Sequence, residues 1–101
     1  AQLTKDVDTD GFLLMARASA ALGDVTVANS IFQRVGPAEP DRADVQSQWG
    51  DLWALTHSDA EAARSYGDAL KADPNWVPAL VGAATILQHR LMRLVDPIVE
   101  E

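Results

Sequence analysis

The 101-residue chain contains no cysteine, which removes disulfides, thiol catalysis and any cysteine-ligated zinc site. That absence leaves the compartment open, because many extracytoplasmic proteins also lack cysteine. Basic residues are scarce: eight Lys and Arg stand against fifteen Asp and Glu, giving a net charge of -7. Nucleic acid and anionic membrane surfaces both require a cationic footprint, so neither is an expected partner. No apolar run approaches the roughly 18 residues of a membrane span, and no basic segment precedes an apolar one as in a secretory leader. There is no HExxH, no EF-hand loop, no GxGxxG and no Walker A run, and the only histidines are His57 and His89. No cofactor, nucleotide or metal is expected; weak carboxylate-only cation binding is the one metal chemistry left open. Strand signals, low-complexity tracts and linkers are missing as well.

What remains is a core-forming composition, 48% hydrophobic and 23% charged, in a length suited to one soluble domain or a piece of one. The chain starts at Ala1 without Met, as a processed or excised chain would. Its main feature is an internal period. Ala28, Phe32 and Pro40 recur 34 positions later as Ala62, Tyr66 and Pro74. Phe12, Met15 and Ala16 lead the first unit as Gln46, Trp49 and Gly50 lead the second. The same offset places Leu80, Ala83, Ala84 and Leu87 at the head of a third.

Helix signals agree with that period. Strong helix formers from Leu13 to Leu22 end at Gly23, suited to a left-handed C-terminal cap, and Asp24 can cap the next helix. That second helix carries Val25, Ala28, Ile31, Phe32 and Val35 at helical spacing, and Gly36-Pro37 is expected to stop it. Asp41 is expected to open a third helix bearing Val45, Trp49, Leu52 and Trp53. Ser58-Asp59-Ala60-Glu61 reads as a capping box launching a fourth helix that runs to about Ala72. Asp73-Pro74-Asn75 breaks the chain, and a fifth helix starts near Trp76. Ala16, Ala28, Gly50 and Ala62 are expected where helices cross closely, with Phe32, Trp49, Trp53 and Tyr66 filling the space between them.

These units resemble tetratricopeptide repeats: a large-small pair, then Ala-x3-Phe/Tyr, then a closing Pro. The first unit contributes Phe12, Met15, Ala16, Gly23, Ala28, Phe32 and Pro40. The second contributes Trp49, Gly50, Trp53, Ala62, Tyr66 and Pro74. Ser19, Gln46 and His57 depart from the pattern, in place of two aromatics and the turn glycine. The resemblance spans about residues 9–90 and implies an all-α fold, a right-handed α-solenoid of antiparallel helix pairs. It divides a single domain into repeat one (9–42), repeat two (43–76) and a partial third (77–101).

Such arrays use the first helix of each pair to line a concave groove for a peptide or partner helix. The resemblance therefore implies Leu13, Leu14, Arg17 and Ala21 from unit one as groove residues. Ser47, Gln48, Asp51 and Leu55 come from unit two, and Val81, Gly82, Thr85 and His89 from unit three. A chaperone-tail carboxylate clamp is not expected, because of Leu13, Arg17, Gln48, Pro78 and Gly82 at its positions only Arg17 is cationic. His57, Ser58 and Asp59 are consecutive in a turn and cannot face one another as nucleophile and base, so no catalysis is expected. The Asp6/Asp8/Asp10 and Asp41/Asp44 runs read as capping and solvated-face charges.

The expected function is a non-catalytic protein-interaction module. The alternative is a structural or regulatory segment of a larger enzyme with no ligand of its own. The C-terminal end adds a third possibility. Leu80, Ala84, Leu87, Leu91 and Leu94 keep helical spacing past the expected turn, and Asp96-Pro97 with Glu100-Glu101 reads as the start of a further helix in a longer protein, with a frayed tail as the alternative. The Leu87, Leu91 and Leu94 stripe is expected to be exposed, covered by a fold-back of Ile98 and Val99, or buried against a second copy in a homodimer.

Overall fold

In the computed structural model, residues 2–99 are described, with side chains described over 8–95. The described residues form five helices and no strand: α1 (Gln2–Ala21), α2 (Val25–Ala38), α3 (Ala43–Leu55), α4 (Asp59–Ala72) and α5 (Val77–Val99). Each helix packs against the next, and α3 also packs against α5. The body measures 60 × 30 × 17 Å with a radius of gyration of 15.0 Å. A compact domain of this length would have a radius near 13 Å, so the molecule is elongated. Among the described residues, no helix is long and apolar enough to cross a membrane.

The turns follow local chemistry. Gly23 adopts φ 86 after α1, and Asp24 caps α2 by accepting the Val27 N–H at 3.1 Å. His57 holds the equivalent left-handed position before α4 at φ 61, an uncommon conformation for a residue with a Cβ.

Four expectations need correction. Gly36-Pro37 does not stop α2, which runs through Pro37 to Ala38. Proline disfavours a helical predecessor by crowding its Cβ, and Gly36 has none. Asp41 does not cap α3; Arg42 is the N-cap residue without a side-chain cap bond, and the Asp44 carboxylate takes the Val45 N–H at 2.9 Å. Ser58 does not form a capping box, because its hydroxyl lies 3.2 Å from that of Thr56 and makes no cap bond. At the C-terminal end α5 continues through Pro97 to Val99, so Asp96 starts no new helix and Ile98-Val99 do not fold back. Glu100 and Glu101 lie outside the described residues, as does the Asp6 side chain.

Two apolar clusters share α3. Leu13, Ala16, Ala28, Ile31, Phe32 and Val35 gather around Val45 and Leu52. Ala62, Tyr66, Ala69, Ala79 and Ile86 gather on the other side with Ala43. Ala28 and Ala62, 34 positions apart, are both wholly buried. Phe32 stacks on Trp49 with centroids 6.2 Å apart, and Trp49 on Trp53 at 6.5 Å. Met15, the repeat landmark equivalent to Trp49, is 56% exposed.

Glycine sets the closest approaches. A Cβ on Gly50 would come within 2.7 Å of the Tyr66 ring, and one on Gly82 would meet the same ring closer still. A Cβ on Gly36 would sit 2.6 Å from the Trp49 ring. Gln46, where the repeat pattern has an aromatic, has a different role. Pro40 lacks the N–H that would bond the Gly36 carbonyl in a continued helix. The buried Gln46 amide reaches that carbonyl at 3.0 Å.

The acidic runs are more than solvated charge. Arg42 donates to both carboxylate oxygens of Asp44 at 3.1 and 2.7 Å, and to Asp10 of α1 at 2.8 Å. Its hydrogen bonds to Asp44 hold the guanidinium pKa far above its usual value, although burial acts the other way. Burial alone would raise Asp44, but the bonds and charge of Arg42 outweigh it and hold that carboxyl below its ordinary range.

Two predictions follow from this packing. Gly82→Ala should destabilise by about 1–3 kcal/mol through overpacking, whereas Gly67→Ala should stabilise by about 0.5–1 kcal/mol through helix propensity alone. No atom lies within 4 Å of a Cβ built at Gly67. Thermal melts showing the same sign for both would contradict the glycine contacts. The second concerns acid. Because Asp44 is lowered in the folded state, its contribution is present above the ordinary carboxylate range and lost as pH falls through its folded value. Arg42→Ala should flatten that acid limb of a stability-pH curve; an unchanged limb would exclude the Arg42 contacts as its source.

Candidate functional site

One face of the molecule carries two adjoining cavities. The first, about 300 Å³, lies between α1 and α3 and is lined by Ala16, Arg17, Ala20, Phe32, Gln48, Asp51, Leu52 and Leu55. The second, about 410 Å³, lies between α3 and α5 and is lined by Asp51, Ala54, Tyr66, Val77, Pro78, Val81, Gly82, Thr85 and Ile86. Asp51 belongs to both, so the cavities are neighbours along a single surface.

The structure brings six of the sequence-derived groove residues to this surface: Arg17, Gln48, Asp51, Leu55, Val81 and Thr85. Leu13 and Ser47 are buried instead, Leu13 in the first core cluster and Ser47 as acceptor for the Trp76 indole N–H at 3.0 Å. Neither is available to a ligand. Both stand one position before a cavity-lining or exposed residue, and one step along a helix turns a side chain by about 100°. Gly82 is also buried, forming floor beneath Tyr66 rather than a free contact. Leu14 and Ala21 are exposed on α1 outside the two cavities, and His89 lines a separate one with His57, Asp59, Met92 and Arg93.

The electrostatics centre on Asp51. Its carboxylate accepts the Tyr66 hydroxyl at 2.6 Å. Part of the residue meets solvent, yet its carboxylate is shielded against the ring, and this burial pushes its pKa up while the Tyr66 bond pulls partly back. Burial and the adjacent carboxylate together drive the Tyr66 phenol well above its usual value. Tyr66 therefore stays protonated and works as a fixed donor, not as an acid-base group. Gln48 Oε1 is buried and has no hydrogen-bond partner. Unsatisfied buried acceptors are uncommon in folded proteins, and the residue that carries this one lines the first cavity. Arg17 supplies an exposed cation at one end of the same cavity.

Sequence reasoning missed the floor. Ala16, Ala20, Phe32 and Leu52 close the first cavity, and Tyr66, Pro78 and Ile86 the second. The signal was present in the small residues at 16 and 20 and in the glycines flanking Tyr66.

Other polar clusters are already engaged. Asp59 pairs with Arg93 at 2.7 Å beside His57 and His89. Among the described residues, no group of three or more His, Cys, Asp or Glu is placed to hold a metal ion. A cavity of about 370 Å³ beneath α2 and α4 is bordered by Gln46 and Trp49, whose side-chain N–H groups are bonded to Gly36 and to Asn29. Compared with known proteins, the chain matches no family model and no curated protein.

Removing the Tyr66 hydroxyl should raise Asp51 further. Because the folded-state value is already raised, ionising Asp51 costs stability as pH rises through that value. Tyr66→Phe should therefore lose more stability at neutral pH than below the carboxylate range. Carboxyl-detected NMR titration reads Asp51 directly, and an unmoved midpoint would exclude the bond as its partner.

Proposed function

We propose that this chain is a tetratricopeptide-like α-solenoid that binds an extended peptide or partner helix along the face shared by α1, α3 and α5. The 34-residue recurrence of Ala28 and Ala62, both wholly buried, and of Phe32 and Tyr66 supports the repeat reading. One observation carries the binding reading: the two cavities adjoin through Asp51, so the first, third and fifth helices share one continuous concave surface.

The lining suits a segment of mixed character. Phe32, Leu52, Leu55, Val77 and Val81 offer apolar contact, while Arg17 offers an anion contact at the α1 side and Asp51 a cation contact at the centre. No side-chain pair on this surface has the arrangement of a nucleophile with its base, so the function proposed is recognition without chemistry.

The test is a peptide-display screen followed by fluorescence titration of selected peptides. Arg17→Glu combined with Val81→Glu should weaken binding about tenfold or more, since two contacts at 1 kcal/mol or so each are removed. Both positions are exposed, so the helical circular-dichroism spectrum should not change. Asp51 is a poor choice for this test, because its substitution also releases Tyr66. Equal affinity of wild type and double variant for every selected peptide would reject this groove.

A further inference from the structure

The fifth helix has a second face that the core does not use and that meets the groove only at Val77. Ala79, Gly82 and Ile86 turn inward and are buried, and Val81 and Thr85 border the groove. On the remaining side stand Val77, Leu80, Ala84, Leu87, Leu91 and Leu94, all exposed. Ile98 continues the series in sequence register. The intervals alternate strictly between three and four residues, which is the 3.5-residue period of a coiled-coil seam and narrower than an ordinary core stripe. Val77, Ala84, Leu91 and Ile98 take the a positions, and Leu80, Leu87 and Leu94 fill every d position.

From 87 to 95 every residue of α5 is exposed. Helical segments of this length are marginal alone, so the apolar seam needs a helix laid along it. We propose that the occupant is the α5 helix of a second copy of this chain, forming a parallel two-stranded coiled coil.

Leucine at each d position with β-branched residues among the a positions favours two parallel strands. Charge points the same way. The protein carries a net charge of -7, yet residues 77–95 contain no Asp or Glu, so the seam escapes the acid-acid repulsion that two copies would otherwise meet. Arg90 is the one charged residue flanking the seam, at a g position. In a parallel pair it faces Val95 of the other strand, whereas an antiparallel pair centred on Leu87 and Leu91 would bring the two Arg90 side chains together. Arg93 is turned away and pairs with Asp59. Over 22 residues the seam is about 33 Å long and would bury on the order of 1,200 Å² across two copies, enough for a specific dimer. Arg17, Gln48 and Asp51 lie outside the seam, whereas Val77 at an a position and Val81 at an e position border both the seam and the second cavity.

The test uses the whole chain. Sedimentation over a concentration series should show a monomer-dimer equilibrium, and Leu91→Lys should weaken association by about a hundredfold, since it places a charge in the seam. The chain has no cysteine of its own. Leu87→Cys should therefore form a disulfide-linked dimer on mild oxidation, far faster than His89→Cys, which lies off the seam. Equal cross-linking rates would overturn the assignment of the face. Preferential linking of Leu87→Cys to Leu91→Cys in a mixture would overturn the parallel arrangement. A wild type that stays monomeric at all concentrations but takes up an added amphipathic helical peptide on this face would overturn self-pairing in favour of a foreign helix.

Discussion

The ring of Tyr66 passes between two glycines, and the second half of the molecule is arranged around that passage. Gly50 lets α3 close on one side of the ring and Gly82 lets α5 close on the other. The hydroxyl at the far end of the ring is held by Asp51, which fixes the depth to which the ring enters. A methyl group at either glycine would force two helix axes apart and change the width of the cavity that Asp51 shares. The indole of Trp76, bonded to Ser47, ties the entry of α5 to α3 and keeps the same spacing from the other end. The packing and the cavity beside it thus depend on one side chain and on the absence of two others.

The first half reaches a similar arrangement by different chemistry. Phe32 stands 34 residues before Tyr66 but has no hydroxyl, and the position equivalent to Asp51 is Arg17. Without a phenol to bind, Arg17 is left facing outward. The close approach moves to Gly36, where the Trp49 ring replaces a Cβ and stacks on Phe32. Pro40 withdraws a backbone donor at the end of α2, and the Gln46 side chain replaces it. The exposed cation and the bonded carboxylate on the shared face are consequences of how each half solves its own packing.

Much of the fold could be read from the chain because its signals are local. Five helices, the left-handed turn at Gly23, the cap at Asp24 and the burial of Ala16, Ala28 and Ala62 all follow from spacing and small-residue placement. The misreadings have different causes: relief of a clash at Gly36-Pro37, a tertiary partner at Arg42, and at Ser58 the neighbouring Thr56 hydroxyl. Gly36-Pro37 stays helical because glycine removes the crowding. Asp41 yields to Arg42 and Asp44, which pair with each other while Arg42 also reaches Asp10 of another helix. Six of the expected residues could be placed on the cavity face from the register of the first helices. Leu13 and Ser47 could not, since distinguishing buried from open positions on adjacent residues requires the angle at which helices cross, which periodicity does not give.

The order of contacts along the chain also bears on how the molecule forms and opens. Packing follows sequence: α1 meets α2, α2 meets α3, and α5 reaches back only as far as α3. The entropy lost in closing such short loops is small, so folding in the microsecond-to-millisecond range is the natural regime. The two apolar clusters meet only through α3, which therefore acts as a hinge between two separable cooperative units. Amide protons of α3 would exchange only when both units open, while those at the outer helices would follow the smaller free energy of one unit alone. A chain built this way can loosen at α1 and α2 while the Tyr66–Asp51 bond between α4 and α3 stays made.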